Sequence, residues 1–140
     1  GTLPADQLVR LCFSGKYTQH EVMKMLSGNA GCQALLGMKD MREIERHALA
    51  GEQPFAEVLE AMLYTVSKQI GAMAVALWGK ADAIILTGGI AHSKYCVEEI
   101  KKQVEFLAPV VVLPGEGEMR SLAFNALGAL NGELPIQEYV

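Results

Sequence analysis

The stretch that decides the fold is residues 82–93, DAIILTGGIAHS, where a short apolar run precedes two adjacent glycines and a polar segment. Residues 83–86 are apolar without alternation, which is typical of a strand buried on both faces of a sheet. Gly88 and Gly89 have no Cβ atom, so the backbone can turn sharply there and a ligand can approach it closely. The apolar spacing over residues 93–107 predicts a helix directly after this turn.

A strand, a glycine turn and a helix N-terminus together offer free backbone N–H groups to an anion or a nucleotide. The alternative is an ordinary connection between a strand and a helix. A pair of glycines does not by itself distinguish the two interpretations.

The composition indicates one globular domain, because 140 residues with 51% hydrophobic and 20% charged side chains can form a core. The net charge of −4, without a cluster of Lys or Arg, argues against a nucleic-acid partner. Cys12, Cys32 and Cys96 are odd in number and scattered, which favours free thiols in the cytoplasm over a disulfide framework.

No apolar run approaches the ~20 residues that span a bilayer, so we expect no membrane segment. No signal peptide is recognisable either. The sequence begins Gly1-Thr2 rather than with a methionine, which leads us to expect a fragment or a processed chain.

Residues 1–81 are expected to be helical. Helices are predicted to begin near Pro4, at two capping boxes (Thr18 to Glu21 and Asp40 to Glu43), and at Pro54. Residues 29–37, which contain two glycines, are predicted to form a loop. The helix after Pro54 is the longest and is predicted to end near Gly79, with a neighbour approaching closely at Gly71. Its predicted buried stripe is Phe55, Val58, Leu59, Met62, Leu63, Val66, Ile70, Met73 and Leu77.

Residues 82–132 are predicted to form a β-α-β-α unit. The second strand is expected over residues 109–113, followed by a turn over 114–117 and a tightly packed helix over 119–130. Glu98 and Lys102 are expected to pair on the helix between the strands. The polar tail, residues 133–140, is expected to be mobile.

Two strands joined by a helix pair in parallel with a right-handed crossover. A parallel sheet of two strands leaves unpaired N–H and C=O groups on both edges. The chain is therefore predicted to be part of a larger sheet, whose edges are covered by a missing segment, another chain or flanking helices.

Four stretches together resemble the acetate kinase family, and within it the butyrate-kinase branch. They are residues 8–17 (LVRLCFSGKY), 36–45 (LGMKDMREIE), 82–91 (DAIILTGGIA) and 114–119 (PGEGEM). The resemblance implies a helix-rich α/β fold, part of a ribonuclease H-like or actin-like ATPase C-terminal domain, with about two parallel strands flanked by helices. Family members are about two and a half times longer, so the chain is expected to be the C-terminal portion.

The resemblance implies adenosine binding by this chain. The positions it assigns to the nucleotide are Gly88, Gly89, Ile90, Asp40, Met41 and Arg42. Arg42 can stack its planar guanidinium on a base, and Asp40 can accept a hydrogen bond from a hydroxyl. The alternatives are that Asp40 is a helix N-cap and that Arg42 is a solvated helix charge.

The sequence departs from the family at two places. His92-Ser93 replaces a Glu-Asn pair, Ser93 can cap the following helix, and His92 has no partner for a metal site. Acetate kinases carry two adjacent glutamates before the last helix, one of them near Mg²⁺. Here Glu116 and Glu118 are separated by a glycine, and they are expected to approach Mg²⁺ through water. The alternative is that they are acids placed at a helix N-terminus.

The implied activity is the reversible, ATP-dependent phosphorylation of butyrate or a related short-chain carboxylate to the acyl phosphate. ATP/ADP and Mg²⁺ would be required. The phosphate loop and the carboxylate site belong to the missing N-terminal part, so no catalytic residue is expected here and the chain alone is expected to be inactive. Family members usually pair through this domain, which implies a homo-oligomer.

Two alternatives to this interpretation stay open. The chain could be a non-enzymatic helical module that self-associates through its strand edges and its long apolar helix. It could also be a proteolytic remnant of the full enzyme.

Overall fold

The computed structural model describes residues 3–115 and 117–136. In that part of the chain the elements are α1 (Ala5–Cys12), α2 (Gln19–Ser27), α3 (Cys32–Leu36), α4 (Met41–Leu49), α5 (Phe55–Ala76), β1 (Ile84–Gly88), a 3-10 helix (Gly89–His92), α6 (Lys94–Val104), β2 (Val110–Pro114) and α7 (Glu118–Leu130). None of the helices described is long and apolar enough to cross a membrane.

The chain forms two compact units, and the boundary between them lies inside α5, after Val66. The core of the first unit is made by Val22, Ile44, Leu59 and Leu63, which are buried. Leu59 and Leu63 are one turn apart on α5, as the apolar stripe predicts.

The capping box at the start of α2 is confirmed. Thr18 Oγ1 accepts a hydrogen bond from Glu21 N at 3.3 Å, and Glu21 Oε2 accepts one from Thr18 N at 2.7 Å. The box predicted at the start of α4 is wrong in one half. Asp40 does cap the helix, but the Glu43 carboxylate turns to Arg46, 2.8 Å away, instead of reaching back to the cap.

The loop predicted over residues 29–37 contains a five-residue helix, α3, so that prediction is wrong. Gly31 and Gly37 flank the helix with φ of +56° and +68°. Glycine adopts these angles at little cost, so the chain can turn sharply on both sides of one helical turn.

In the second unit, β1 and β2 pair in parallel as predicted, with Ile84 opposite Val110 and Gly88 opposite Pro114. The connecting helix α6 contributes the largest part of the core here. Its buried side chains are Cys96, Val97, Ile100 and Val104. On its exposed side Lys102 pairs with Glu99, one turn away, and the predicted pairing with Glu98 is wrong.

The sheet is not buried on both faces, which corrects the prediction for residues 83–86. The strand begins at Ile84, and half-buried residues alternate along it with exposed ones. Ile85 is 59% exposed, and Val111, Val112 and Leu113 of β2 are exposed as well. Successive side chains point to opposite faces of a sheet, and one face of β1 has no cover in the described part of the chain.

The last two positions of the predicted α5 stripe are also exposed. The helix ends at Ala76, and both Met73 and Leu77 face solvent. Close approach of a neighbour at Gly71 is not found, because no described heavy atom lies within 4 Å of the position that a Cβ would occupy.

The tight packing predicted for α7 is not found either. Its apolar side chains Met119, Leu122, Leu127 and Leu130 are exposed. Gly128 is the exception, because a Cβ there would lie 2.9 Å from Leu134 Cδ1. Leu134 therefore packs on the end of α7. The last four residues of the predicted mobile tail, 137–140, lie outside the described residues.

We expect Gly71→Ala to raise the free energy of unfolding by about 0.5–1 kcal/mol, since alanine favours the helix and meets no neighbour. The measurement is urea unfolding followed by circular dichroism. Gly132→Ala is the matched control, because it also has free space but sits at φ +74°, and it should lower that free energy. A loss of stability in Gly71→Ala would show that this face of α5 is occupied.

Candidate functional site

The glycine turn at the end of β1 uses its two glycines differently. Gly88 has φ +77° and ψ −168°, a conformation that is essentially restricted to glycine. Gly89 begins the 3-10 helix without a positive φ, and nothing lies within 4 Å of its missing Cβ. Gly88 therefore forms the turn, and Gly89 leaves free space beside it. The next residue, Ile90, is half-buried.

A second turn is tied to the first by hydrogen bonds. Gly88 N donates to Gly115 O at 3.2 Å, and Gly115 N donates to Gly88 O at 3.1 Å. Thr87 Oγ1 also donates to Gly115 O at 3.2 Å. Gly115 has φ +88°, so it too needs the freedom of glycine. The structure thus joins the two glycine-containing motifs, around residues 88 and 115, into one surface.

His92 lies against this second turn, a contact that the sequence did not reveal. Its Nε2 atom is 3.5 Å from the position that a Cβ on Gly115 would take. Ser93 caps α6 as expected, accepting from Cys96 N at 3.0 Å. Residues 90–92 of the 3-10 helix separate the cap from Gly89. The sequence suggested that the free N–H groups at the start of this helix are adjacent to the glycine turn. In the structure they are not, because part of the 3-10 helix lies between them.

The second group of predicted site residues lies in the first unit, at the start of α4. Asp40 Oδ1 accepts from Arg42 N at 3.0 Å, so the N-cap interpretation of Asp40 is confirmed. The Arg42 side chain returns to the same carboxylate, with Nε donating to Oδ1 at 3.1 Å and Nη2 donating to Oδ2 at 2.7 Å. Arg42 is nevertheless 89% exposed, and Met41 beside it is half-buried.

These hydrogen bonds fix the charge of the pair. The side-chain and backbone bonds from Arg42 lower the pKa of Asp40 to about 2. The bond to Asp40 in turn raises the pKa of Arg42. The carboxylate and the guanidinium are therefore both charged at neutral pH.

The predicted Mg²⁺ residues cannot be placed. Glu116 and the side chain of Glu118 lie outside the described residues. Within the described ranges, no three His, Cys, Asp or Glu side chains form a group that could hold a metal ion.

The sequence profile of the Acetokinase family matches residues 10–111, which is most of the chain. The chain belongs to this family. The match includes α4 with its cap and the glycine turn after β1, so both groups of predicted nucleotide residues lie within the range that the family profile matches.

Two relatives of this family member are named as butyrate kinases. The probable butyrate kinase of Phocaeicola vulgatus is 64% identical over 139 residues, and that of Bacteroides thetaiotaomicron is 54% identical over 139 residues. Each alignment covers 99% of this chain and 39% of the relative. The chain thus spans about two fifths of the length of the curated relatives it matches.

A solved structure confirms the predicted fold class. The crystal structure of Porphyromonas gingivalis acetate kinase matches with a TM-score of 0.74 and 20% identity, covering 91% of this chain and 39% of that one. At this identity the likeness concerns the fold alone. The helix-rich α/β class with two parallel strands, of the actin-like ATPase type, is therefore as predicted.

The two glycines of the turn should respond differently to alanine. Gly88→Ala should lower the free energy of unfolding by about 1–3 kcal/mol, because its φ is strained for any other residue. Gly89→Ala should change it by less than about 0.5 kcal/mol, since it has neither a positive φ nor a close neighbour. Chemical unfolding of the two variants measures the difference. Equal losses would contradict the separate roles.

The Asp40 carboxyl should titrate near pH 2 when followed by carbon NMR. Its pKa is lowered in the folded state from the usual 3.8, so its stabilising effect is complete above about pH 4 and is lost as the pH falls through about 2. Arg42→Gln removes the guanidinium and should return the pKa towards its usual value. A wild-type midpoint near 4 would show that the pair does not form.

Proposed function

We propose that this chain is the adenosine-binding part of a carboxylate kinase. The reaction is the reversible transfer of a phosphoryl group between ATP and butyrate or a related short-chain carboxylate. The observation that carries the proposal is the 64% identity to a probable butyrate kinase over nearly the whole chain. Since the chain spans 39% of that relative, the activity is that of a longer protein.

The proposed contacts of the glycine turn follow from its shape. Gly89 leaves free space beside the main chain, which a ribose or a base can enter. Ile90 adds an apolar side chain next to that space. Gly88 contributes the backbone turn that sets the positions of Gly89 and Ile90.

The proposed contacts of α4 are with the base and the ribose. Arg42 offers an exposed, planar cation that can stack on adenine. Met41 is half-buried beside it and would pack against the same ligand. Asp40 lies within the same group through its bonds to Arg42.

Phosphoryl transfer depends on positioning and on neutralising charge more than on covalent help from the protein. Mg²⁺ would neutralise the phosphates, and we assign Glu116 and Glu118 to it through water, because hard cations prefer oxygen ligands. One observation supports the assignment: Gly115, which precedes Glu116 in the sequence, is bonded to Gly88. The binding site for the carboxylate substrate and the phosphate-binding loop are assigned to the part of the relatives that this chain does not span.

A cytoplasmic location agrees with the reaction and with the thiols. Cys12, Cys32 and Cys96 form no disulfide in the described part of the chain, and the cytoplasm keeps thiols reduced.

A second candidate is a non-enzymatic module that self-associates. The exposed apolar side chains of α7 and of the sheet favour it, because extended apolar surfaces mark interaction sites. Light scattering and thermal unfolding, each with and without ADP, separate the candidates. A dimer whose melting temperature does not change with ADP would favour the module.

The test of the proposed function is ADP binding to the 140-residue chain, measured by calorimetry. Gly89→Ala should weaken binding about tenfold, because the added methyl group enters the space assigned to the nucleotide. Gly71→Ala is the matched control, with the same added atom away from the site, and should bind as wild type. Equal affinity of all three proteins would refute the site.

A coupled ATP–butyrate assay tests the proposal that this chain supplies only the adenosine-binding part of the kinase. The chain alone should show no turnover above background, since no residue assigned to the acyl group or to the phosphate loop is within it. Turnover close to that of a full-length butyrate kinase would contradict this division of roles.

A further inference from the structure

The Arg42 side chain is exposed but not free. An exposed arginine normally samples many rotamers, which makes it a poor surface for a ligand. Here Nε and Nη2 donate to the two oxygens of Asp40 at 3.1 and 2.7 Å, the bidentate arrangement that fixes a guanidinium in one orientation. These bonds leave from the edge of the planar group, so they do not occupy its two faces.

The carboxylate that holds Arg42 is itself fixed to the helix. Asp40 Oδ1 also accepts from the backbone N–H of Arg42 at 3.0 Å, which ties the carboxylate to the first turn of α4. Oδ1 therefore accepts two bonds and Oδ2 accepts one. A carboxylate has about four acceptor positions, so most of those of Asp40 are used within the protein.

A neighbouring arginine on the same helix is held by only one carboxylate oxygen. Arg46 donates from Nε and Nη2 to a single oxygen of Glu43, at 3.0 and 2.8 Å. Its Nη2 also lies 2.9 Å from His47 Nε2. This pair is one turn along α4, it is not bidentate across both carboxylate oxygens, and Glu43 is not the helix cap.

From this geometry we infer that Asp40 is a positioning residue, which holds the guanidinium of Arg42 as a flat, exposed surface for the adenine base. The inference rests on the proposed function, because it takes the adenosine site as given. It differs from the expectation that Asp40 binds a ribose hydroxyl directly. The ligand class follows from the chemistry, since a fixed planar cation with free faces suits the π face of a purine.

Asp40→Asn separates this role from helix capping. Asparagine caps helices about as well as aspartate, so the N-cap of α4 should be preserved, and only the stabilising effect of the Asp40 charge should be lost. Its amide nitrogen is a donor, however, so it cannot accept from Nη2 of Arg42 as Oδ2 does. The variant therefore releases one arm of the arginine and leaves the cap in place.

The experiment is a double-mutant cycle on ADP affinity, with Asp40→Asn, Arg42→Ala and the double variant of the 140-residue chain. Asp40→Asn should weaken binding about three- to tenfold. In the Arg42→Ala background the same change should have no further effect, because there is no guanidinium left to position. Glu43→Gln, which disturbs the neighbouring pair, is the matched control and should bind within about twofold of wild type.

A direct contact with the ribose would give a different result. If Asp40 binds a hydroxyl, its substitution still weakens ADP in the Arg42→Ala background, and the loss disappears with 2′-deoxy- and 3′-deoxy-ADP. That outcome overturns the positioning role. Equal losses with ADP and both deoxy nucleotides support it. An unchanged affinity of Asp40→Asn also overturns it.

The failure of this inference is distinguishable from failure of the proposed function. If Arg42→Ala weakens ADP and Asp40→Asn does not, only the positioning role is wrong. If neither Arg42→Ala nor Gly89→Ala affects binding, or if the wild-type chain does not bind ADP, the adenosine site itself is wrong. Nitrogen NMR of the Arg42 guanidinium adds a readout without nucleotide, because the hydrogen bond from Nη2 should be lost in Asp40→Asn while the one from Nε to Oδ1 is retained.

Discussion

The pair of hydrogen bonds between Gly88 and Gly115 is the constraint on which the glycine turn of the candidate site depends. Each glycine both donates and accepts, at 3.2 and 3.1 Å, directly beyond the parallel pairing of β1 and β2. Both residues have positive φ, so a side chain at either position would strain the turn. The bonds place the start of the 3-10 helix and the segment before α7 side by side, although nearly thirty residues separate them in sequence.

The sequence predicted the elements whose signals are local. The 3.6-residue period located α5 and α6, and the turn residues located the two strands to within a few residues at each end. The tie between Gly88 and Gly115 was not predictable, because it depends on the register of the two strands and not on either turn alone. The bidentate pair of Asp40 and Arg42 was missed for a different reason. Residues two apart do not face each other within a helix, but Asp40 is an extended cap whose side chain folds back over the first turn.

The exposed apolar residues explain a further group of errors. Helical spacing of apolar residues predicted buried side chains at Met73 and Leu77 of the α5 stripe, and at Leu122 and the later apolar residues of α7. These side chains face solvent instead. An apolar pattern shows that a surface is suited to contact, and it does not identify what makes the contact. The same holds for the outer face of β1, where Ile85 has no cover in the described part of the chain.

The bidentate pair at the start of α4 has a consequence for how this segment can change over generations. Arg42 occupies most of the acceptor positions of Asp40, and Asp40 accepts from two guanidinium nitrogens of Arg42, so replacing either residue removes the bidentate geometry. A substitution at one position is therefore expected to favour a compensating change at the other. The two residues should be inherited as a single unit, while the exposed acids and bases around them remain free to vary.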